Sequence, residues 1–368
     1  MLKIPLLRPK LPDAQALLPF LQQIDFNQFY TNFGPLHKEF LTKLLELQAA
    51  KEKTSLFGSL TSSATLGIEL ALAALDLPAG SKVGVPALTF IATGTAIERC
   101  GHIPVVLDVD PNSWLLTTQQ MPTGRDLSDI RAVIPVSTFG MPQDAQAWSA
   151  WSRVHQIPVI IDAASAWGAQ LTAPDVTVVF SLHATKALSS GEGGLILTRN
   201  SELAARLRMM SNFGIGMDTA YISTNAKMSE YHAAIGLAHL NMWPDQVLAR
   251  SSLMQKYRRA FSGIVGRVLE FQEDTGLFSP SLMCVRLVSR ELRDELEAAC
   301  SQSSIQTRRW YLPLLPQQPM LKSTLVPWPI PHALSIADTL LGLPFFVDMT
   351  DEQFAHIAKL VLNLKELN

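Results

Sequence analysis

The sequence predicts an α/β protein with a large domain, built on a parallel sheet covered by helices, and a smaller C-terminal α+β domain. Short apolar segments rich in β-branched residues alternate with helical segments through the first part of the chain, a pattern typical of helix-covered parallel sheets. The length of 368 residues exceeds what one hydrophobic core usually reaches. We therefore predict two domains, at residues 1–244 and 245–368.

The N-terminal part is expected to form an extended arm followed mostly by helices. Prolines punctuate residues 4–12, which favours an extended chain, and Asp13 can cap the first helix. After the arm we predict helices at residues 15–24 and 36–51, a strand at 54–57, a loop of small residues at 58–65 and a third helix at 66–75.

The central part alternates helices with short apolar strands. The strands are predicted at VGVP, IPVVL, AVIPV, PVII, VTVVF and LILT. Ligands of such sheets bind at the carboxyl ends of the strands, and three notable side chains, Phe90, Asp162 and Ser181, fall there. These three are therefore candidate site residues.

The last part of the chain is predicted to hold long helices and a few strands. The helices are expected at residues 201–210, from about 229, and at 246–261, 290–300 and 351–364, with a strand at 281–287. Pro244 interrupts the helical pattern and marks the expected domain boundary. The proline-rich residues 313–331 are expected to form a connection on the surface.

Composition narrows the classes of partner. The 30 Lys and Arg residues against 32 Asp and Glu leave a net charge of −2, without the basic run that nucleic acid requires. Cys100, Cys284 and Cys300 suit neither a disulfide framework nor a metal site, and the histidines are scattered, so we expect no bound metal. We find no apolar run that could cross a bilayer and no signal peptide, and we expect a soluble, cytoplasmic protein.

Lys186 is the candidate reactive centre. It lies in FSLHATKALSSGEGGLILT, among small residues and glycines between two apolar strands. A lysine in a partly desolvated pocket loses proton affinity, and its neutral amine can form a Schiff base with pyridoxal 5′-phosphate (PLP). On this motif alone, a solvated surface lysine is the more common case.

The small residues Ser63, Ala64 and Thr65 suggest an anion site. They stand where a helix begins and points its free N–H groups back at the sheet, and their side chains let a phosphate approach the backbone. A simple serine cap is the alternative, and this segment alone favours it.

Asp162 is the informative carboxylate because it ends a buried strand. A buried carboxylate needs a cationic or hydrogen-donating partner, and a protonated pyridine nitrogen would be one. The alternative, equally compatible with the local sequence, is that Asp162 caps a helix over residues 163–168.

Together these motifs resemble those of the DegT-like nucleotide-sugar aminotransferases, members of fold type I of the PLP-dependent enzymes, over nearly the whole chain. The segments that carry the resemblance are SAT, PALTF, the strand-end aspartate, SLHATK, GEGG, TNAKMSEYHAAIGL, IQTRRWYLPL and LLGLPFFVDMTDEQ. The resemblance implies a large domain with a mostly parallel seven-stranded sheet and a smaller C-terminal α+β domain.

The resemblance also implies PLP as the cofactor and a role for each site residue. The implied cofactor contacts are the phosphate-binding Ser63, Ala64, Thr65 and Ser181, the ring-stacking Phe90, the pyridine-nitrogen partner Asp162 and the Schiff-base Lys186. Asn225 would reach the phosphate bound in the neighbouring subunit, which implies a homodimer with shared active sites.

Two residues depart from the family's pattern. Where the family usually has a glutamine that bonds the hydroxyl of the cofactor ring, this chain has Ser165, which we expect to reach the ring only through water. Two residues later, Trp167 replaces a frequent histidine and is expected to reshape the pocket. The related sugar dehydratases carry a histidine in place of the lysine, so Lys186 favours transamination.

The resemblance implies a transaminase that moves an amino group from an amino acid, expected to be L-glutamate, to a nucleotide-linked keto-6-deoxy-sugar. We expect amination at C4, for amino-sugar or surface polysaccharide biosynthesis. The alternatives are amination at C3 and a catalytically altered, regulatory PLP-binding protein. A dinucleotide-dependent oxidoreductase fits less well because GEGG lacks the full fingerprint spacing. Which of Arg308, Arg309 and Trp310 faces the substrate stays open.

Overall fold

The computed structural model describes residues 3–216, 223–273 and 281–364. Within these residues the strands of the large sheet are β1 Phe57–Thr61, β2 Lys82–Pro86, β3 Ile103–Leu107, β4 Ile130–Val133, β5 Val159–Asp162, β6 Val176–Ser181 and β7 Gly194–Thr198. Their order is β1-β7-β6-β5-β4-β2-β3. All neighbours are parallel except the pairs that β7 makes with β1 and β6, so the sheet is mostly parallel.

Helices cover both faces of this sheet. In the described residues they are α1 Ala14–Asn27, α2 Pro35–Glu52, α3 Ala64–Ala73, α4 Ile91–Arg99, α5 Arg125–Ser128, α6 Ala145–His155, α7 Ser201–Met210, α8 Glu230–Phe261, α9 Arg290–Gln302, α10 Pro331–Thr339 and α11 Asp351–Leu362. Every residue of β6 is buried: Val179 packs in the apolar cluster under α3 and α4, and Val178 in the cluster on the opposite face. Burial of both faces is what a parallel sheet requires.

A second, antiparallel sheet lies in the C-terminal part. Its strands are β8 Leu269–Phe271, β9 Met283–Leu287 and β10 Leu340–Leu343, in the order β10-β9-β8. Leu296 of α9 and Ile357 of α11 pack with these strands in a third apolar cluster. The predicted class, an α/β protein with a mostly parallel seven-stranded sheet and a smaller α+β part, is confirmed.

The first strand does not lie where the sequence predicted it. We expected a strand at residues 54–57 and a loop from residue 58, but β1 begins at Phe57 and includes the small residues that follow. Gly58 pairs with Leu197, and a Cβ added to Gly58 would lie 2.6 Å from the carbonyl oxygen of Ile196. The small residues are in the strand because the backbone of β7 approaches them closely.

Pro244 does not break a helix, which corrects the predicted separate helix at residues 246–261. The helix α8 continues through this proline. Leu237 packs in the cluster of α1 and α2, and Tyr257 packs in the third cluster, so packing at both ends outweighs the local cost of the proline. The expected boundary at residue 244 falls inside α8, and the division into domains there stays a prediction.

Within the described residues, no helix has both the length and the apolar character that crossing a membrane requires.

The proline-rich residues 313–331 form a mostly exposed connection, as expected, but this connection is held against the large sheet. Leu314 and Leu315 are fully buried, and the backbone of Leu325 continues the edge of β3. The Leu325 N–H donates to the carbonyl of Pro104, and the Val106 N–H donates to the carbonyl of Leu325, both at 2.8 Å. Buried leucines and strand-like hydrogen bonds therefore hold this segment against the large sheet.

Candidate active site

A cavity of about 430 Å³ opens at the carboxyl ends of β2, β5 and β6. The predicted site residues that line it are Ser63, Ala64, Thr65, Phe90, Asp162, Ser165, Ser181 and Lys186. Asn225 is the predicted site residue that does not line it. The structure therefore brings together residues that are spread over more than a hundred positions of the chain, as expected for strand ends in a parallel sheet.

The start of α3 forms one end of the cavity. The Ser63 hydroxyl caps this helix and accepts a hydrogen bond from the Leu66 N–H at 3.2 Å. A Cβ added to Gly194 would lie 2.7 Å from the nitrogen of Ala64, so β7 passes directly beside the helix start. The serine cap is thus present, and the first N–H groups of α3 still give this end of the cavity the character of an anion site.

Asp162 is buried and accepts two hydrogen bonds. The Thr93 hydroxyl donates to Oδ2 at 2.7 Å, and the Ala164 N–H donates to Oδ1 at 3.1 Å. Burial raises the pKa of this carboxyl, and the hydrogen bond from Thr93 opposes the rise. Residues 163–168 form turns rather than the helix of the alternative interpretation. The carboxylate at the end of β5 is therefore available to a further donor in the cavity.

Thr93 was missed by sequence reasoning. It lies in the first turn of α4, three residues after Phe90, and is fully buried. Thr93 donates its only hydroxyl proton to Asp162, so the contact of 3.0 Å to the Thr89 hydroxyl requires Thr89 to donate to Thr93. Two threonines thus support the carboxylate. The signal in the sequence that could have identified Thr93 was the TFIAT segment, which also carries the candidate ring-stacking residue.

Lys186 lies opposite this carboxylate in a loop between β6 and β7. The loop is closed by backbone hydrogen bonds from Leu182 to Gly193 at 2.9 Å and from Ala184 to Gly191 at 2.8 Å. Gly191 has φ +82°, which glycine adopts readily. The Lys186 Nζ donates to the Ser165 hydroxyl at 2.9 Å. Burial lowers the pKa of Lys186, and the nearby Asp162 opposes this, so the amine gives up its proton more readily than a solvated lysine does.

Aromatic side chains form one wall of the cavity. Phe90 is 51% exposed although it stands at the start of α4, and its ring centroid lies 6.1 Å from that of Tyr311, which in turn stacks on Phe139 at 5.3 Å. Tyr311 lines the cavity and was not predicted. Trp167 packs edge-on against Phe180 in the apolar cluster and is not among the lining residues, so it does not reshape this wall directly.

Arg308 is the basic residue of its segment that faces the cavity. Its guanidinium lies 4.2 Å from the centroid of Trp310, and both residues line the cavity. Arg309 points elsewhere and forms ion pairs with Asp294, at 2.9 Å, and with Glu297. The question that the sequence left open is answered by geometry: Arg308 and Trp310 face the cavity, and Arg309 does not.

Asn225 lies outside this chain's cavity. It is exposed, and its Oδ1 accepts a hydrogen bond from Lys227 Nζ at 2.6 Å. Its backbone pairs with that of Asn212. Its expected role in a neighbouring subunit stays a prediction.

The residues around the cavity fit PLP. A helix start suits a phosphate, the buried Asp162 carboxylate suits a protonated pyridine nitrogen, and Lys186 lines the same cavity. The half-exposed Phe90 offers a ring face, and the volume falls within the range of small-molecule sites. The roles of the single residues toward the cofactor stay predictions.

Known proteins share both the sequence pattern and the fold. The model of the DegT/DnrJ/EryC1/StrS aminotransferase family matches residues 14–362. A dTDP-4-amino-4,6-dideoxy-D-glucose transaminase of Shigella dysenteriae is 28% identical, over 97% of this chain and 98% of its own. The Escherichia coli transaminase of the same name is 27% identical, over 98% of both chains.

Two solved structures are similar over nearly the whole chain. A putative PLP-dependent aminotransferase from Bacillus cereus has a TM-score of 0.89 and 25% identity, covering 98% of this chain and 100% of its own. DesI, crystallised in the presence of its TDP-sugar product, has a TM-score of 0.87 and 27% identity, covering 98% of this chain and 92% of its own.

The hydrogen bond from Thr93 to Asp162 predicts an effect on cofactor affinity. The Thr93→Val variant keeps the shape of the side chain but removes the donor, so the anionic carboxylate becomes less stable and holds the ring proton less well. We expect the dissociation constant of PLP, measured by absorbance titration, to rise about tenfold. Thr93→Ser restores the hydroxyl and serves as the matched control. Equal affinities of the valine variant and the wild type would contradict a role for this bond.

Proposed function

The chain belongs to the DegT/DnrJ/EryC1/StrS aminotransferase family, and from that premise we propose that it aminates a nucleotide-linked keto-6-deoxy-sugar at C4. The observation that carries the proposal is the Lys186 amine, held beside the Asp162 carboxylate in one cavity. The names of the two transaminase relatives and the TDP-sugar product of DesI support this class of substrate. We further propose L-glutamate as the amino donor and amino-sugar or surface polysaccharide biosynthesis as the context.

The cofactor is PLP, which supplies a carbonyl that takes up the amino group and a ring that draws electrons from the reacting carbon. The buried Asp162 carboxylate would hold a proton on the ring nitrogen, and the Thr93 hydroxyl holds the carboxylate in place. Phe90 would support the ring face, and the start of α3 with Ser181 would bind the phosphate, since all of these residues line the cavity. These residues would hold the cofactor in the cavity that Lys186 lines.

Lys186 moves the proton of the reaction. Because burial lowers the pKa of its amine, the neutral form can take a proton from the carbon that carries the donor's amino group. The resulting Lys186 ammonium would then give the proton up again on the cofactor's side of the reacting bond. The same exchange runs in reverse when the keto-sugar accepts the amino group, so one lysine serves both halves of the transfer.

Arg308 is proposed to bind the diphosphate of the nucleotide sugar. It is exposed at the cavity and its guanidinium is stacked on Trp310, which restricts its orientation, while backbone hydrogen bonds to Gly342 at 2.8 and 3.2 Å fix its main chain. A guanidinium can make paired hydrogen bonds to phosphate oxygens. The aromatic wall beside it suits the less polar face of a 6-deoxy-sugar.

We propose that the enzyme works as a homodimer in which Asn225 of each subunit completes the site of the other. Asn225 and its neighbour Lys227 are polar groups at the surface, outside their own cavity. Exposed aromatic side chains lie in nearby segments, among them Phe213, which is 60% exposed and contacts Lys227, and Tyr231, which is 46% exposed. A surface with large apolar side chains suits an interface.

We also propose that the protein acts in the cytoplasm. Its three cysteines are free, and burial raises the pKa of the Cys100 thiol to about 12. Unpaired, unreactive thiols are typical of a reducing compartment.

The first half of the reaction can be tested by visible absorbance. The yellow band of the PLP-loaded protein is expected to bleach toward the pyridoxamine form when L-glutamate is added, and Lys186→Ala should abolish the bleaching. Product analysis with keto-sugars would then distinguish amination at C4 from amination at C3. If PLP binds but no amino acid changes the band, transamination is contradicted and a regulatory role becomes the better interpretation.

Arg308 and Arg309 offer a matched pair for the substrate site. Arg308→Met removes the cation that faces the cavity, and we expect the KM for the nucleotide sugar to rise about tenfold or more with the glutamate half-reaction little changed. Arg309→Met removes a neighbouring cation that is already paired with Asp294 and Glu297, so the KM should stay within about twofold. Equal KM values for the two variants would contradict the assignment of Arg308.

A mixture of two variants tests the shared site. Lys186→Ala is expected to be inactive, and Asn225→Ala weakly active. In a mixed dimer, the site with an intact Lys186 receives an intact Asn225 from the other subunit, so refolding the two together should restore about a quarter of the wild-type activity. If Asn225 acted within its own chain, the mixture would show no gain over the separate variants.

A further inference from the structure

Ser165 stands where the family resemblance leads us to expect a glutamine, and its hydroxyl accepts a hydrogen bond from Lys186 Nζ at 2.9 Å. We propose that Ser165, held in place by Ser281, positions the Lys186 amine whenever that amine is not bonded to the cofactor. The expected water-mediated contact of Ser165 to the cofactor ring stays a prediction for the state in which the cofactor is bound. The inference rests on the proposed function, because only a PLP enzyme releases this lysine during each turnover.

The position of Ser165 is fixed by its backbone. The Ala163 N–H donates to the carbonyl of Val179 at 2.8 Å, and the Ala166 N–H donates to the carbonyl of Ala163 at 2.9 Å, so a tight turn follows β5. The Ser281 hydroxyl donates to the carbonyl of Ser165 itself at 2.6 Å. Ser165 and Ser281 are 8% and 2% exposed. The hydroxyl that meets the lysine therefore belongs to a segment anchored from both sides.

The lysine, by contrast, has a flexible stem. A free lysine side chain samples many rotamers, and ordering it costs conformational entropy. One hydrogen bond to a fixed acceptor reduces the set of rotamers to those that point the amine into the cavity. Ser165 is thus a positioning residue, acting on the group that moves the proton.

A hydroxyl suits this task better than a carboxylate would. As an acceptor, the Ser165 oxygen uses one N–H of the amine and leaves its lone pair free to take a proton. A carboxylate at the same place would stabilise the ammonium strongly and keep the lysine protonated. Asp162 is the nearby carboxylate that acts on Lys186, and hydrogen bonds from Thr93 and Ala164 hold it at the end of β5.

A purely structural role for Ser165 makes a different prediction. If the serine only fills the turn after β5, removal of its hydroxyl would change the melting temperature but not the protonation of Lys186. If the serine positions the amine, both the reactivity and the titration of the lysine change. The reaction of PLP with cofactor-free protein separates the two, because it needs no amino acid and no sugar.

The experiment is to mix cofactor-free protein with PLP and to record the rate at which the visible band appears, as a function of pH. In Ser165→Ala the maximal rate at high pH should fall about tenfold, because the amine is no longer held. The midpoint of the pH profile should move to lower pH, because the lost acceptor had stabilised the charged amine. Ser281→Ala should shift both quantities in the same directions by less, and Ser165→Thr should restore them.

Ser149→Ala is the matched control, since Ser149 is a fully buried serine of α6 away from the cavity, and its profile should equal that of the wild type. Melting temperatures show which variants fold, and if Ser165→Ala does not fold, Ser281→Ala decides the result. A midpoint that stays in place or moves to higher pH, or a maximal rate within twofold of the wild type, overturns the proposal. Wild-type protein that forms no band with PLP overturns the proposed function itself.

Discussion

The burial of one carboxylate governs the arrangement of the site. Asp162 ends β5 beneath the cavity, where a charge without partners would be very costly. The chain meets this constraint with Thr93 from α4, with the N–H of Ala164 and with the nearby Lys186. Each of these groups belongs to a different element, so α4, the turn after β5 and the loop before β7 must all meet at one point. The cavity forms where they meet.

The two titratable groups of the site act on each other. Burial pushes the pKa of Asp162 up and that of Lys186 down, while their mutual attraction opposes both shifts. A cofactor with a basic ring nitrogen would relieve the carboxylate and leave the amine free to exchange protons. The pair is therefore matched to a bound partner of this kind, whereas a purely structural ion pair would need none. Thr93 bonds the Asp162 carboxylate and Ser165 bonds the Lys186 amine, so each titratable group has its own hydrogen-bond partner.

Local sequence was sufficient for much of this structure. The positions of Asp162 and Phe90 at strand ends were predicted from the points where short apolar segments stop. The helix α7 was predicted at its observed bounds. The partners could not be predicted in this way, because Thr93 meets Asp162 across 69 positions and Ser281 meets Ser165 across 116. The proline of α8 and the small residues of β1 misled the prediction since packing at long range, invisible in a local pattern, decides both.

The unbroken course of α8 has a mechanical consequence. One end of this helix packs against α1 and α2, and the other end packs in the third apolar cluster. One continuous helix thus connects the two sheets. Because the helix is continuous at residue 244, the C-terminal part has no hinge at that point. The wall that carries Ser281 and Arg308 is thereby kept at a fixed spacing from the wall that carries Lys186. The spacing of the two walls is therefore set by the packing at the two ends of one helix and not by the length of a loop.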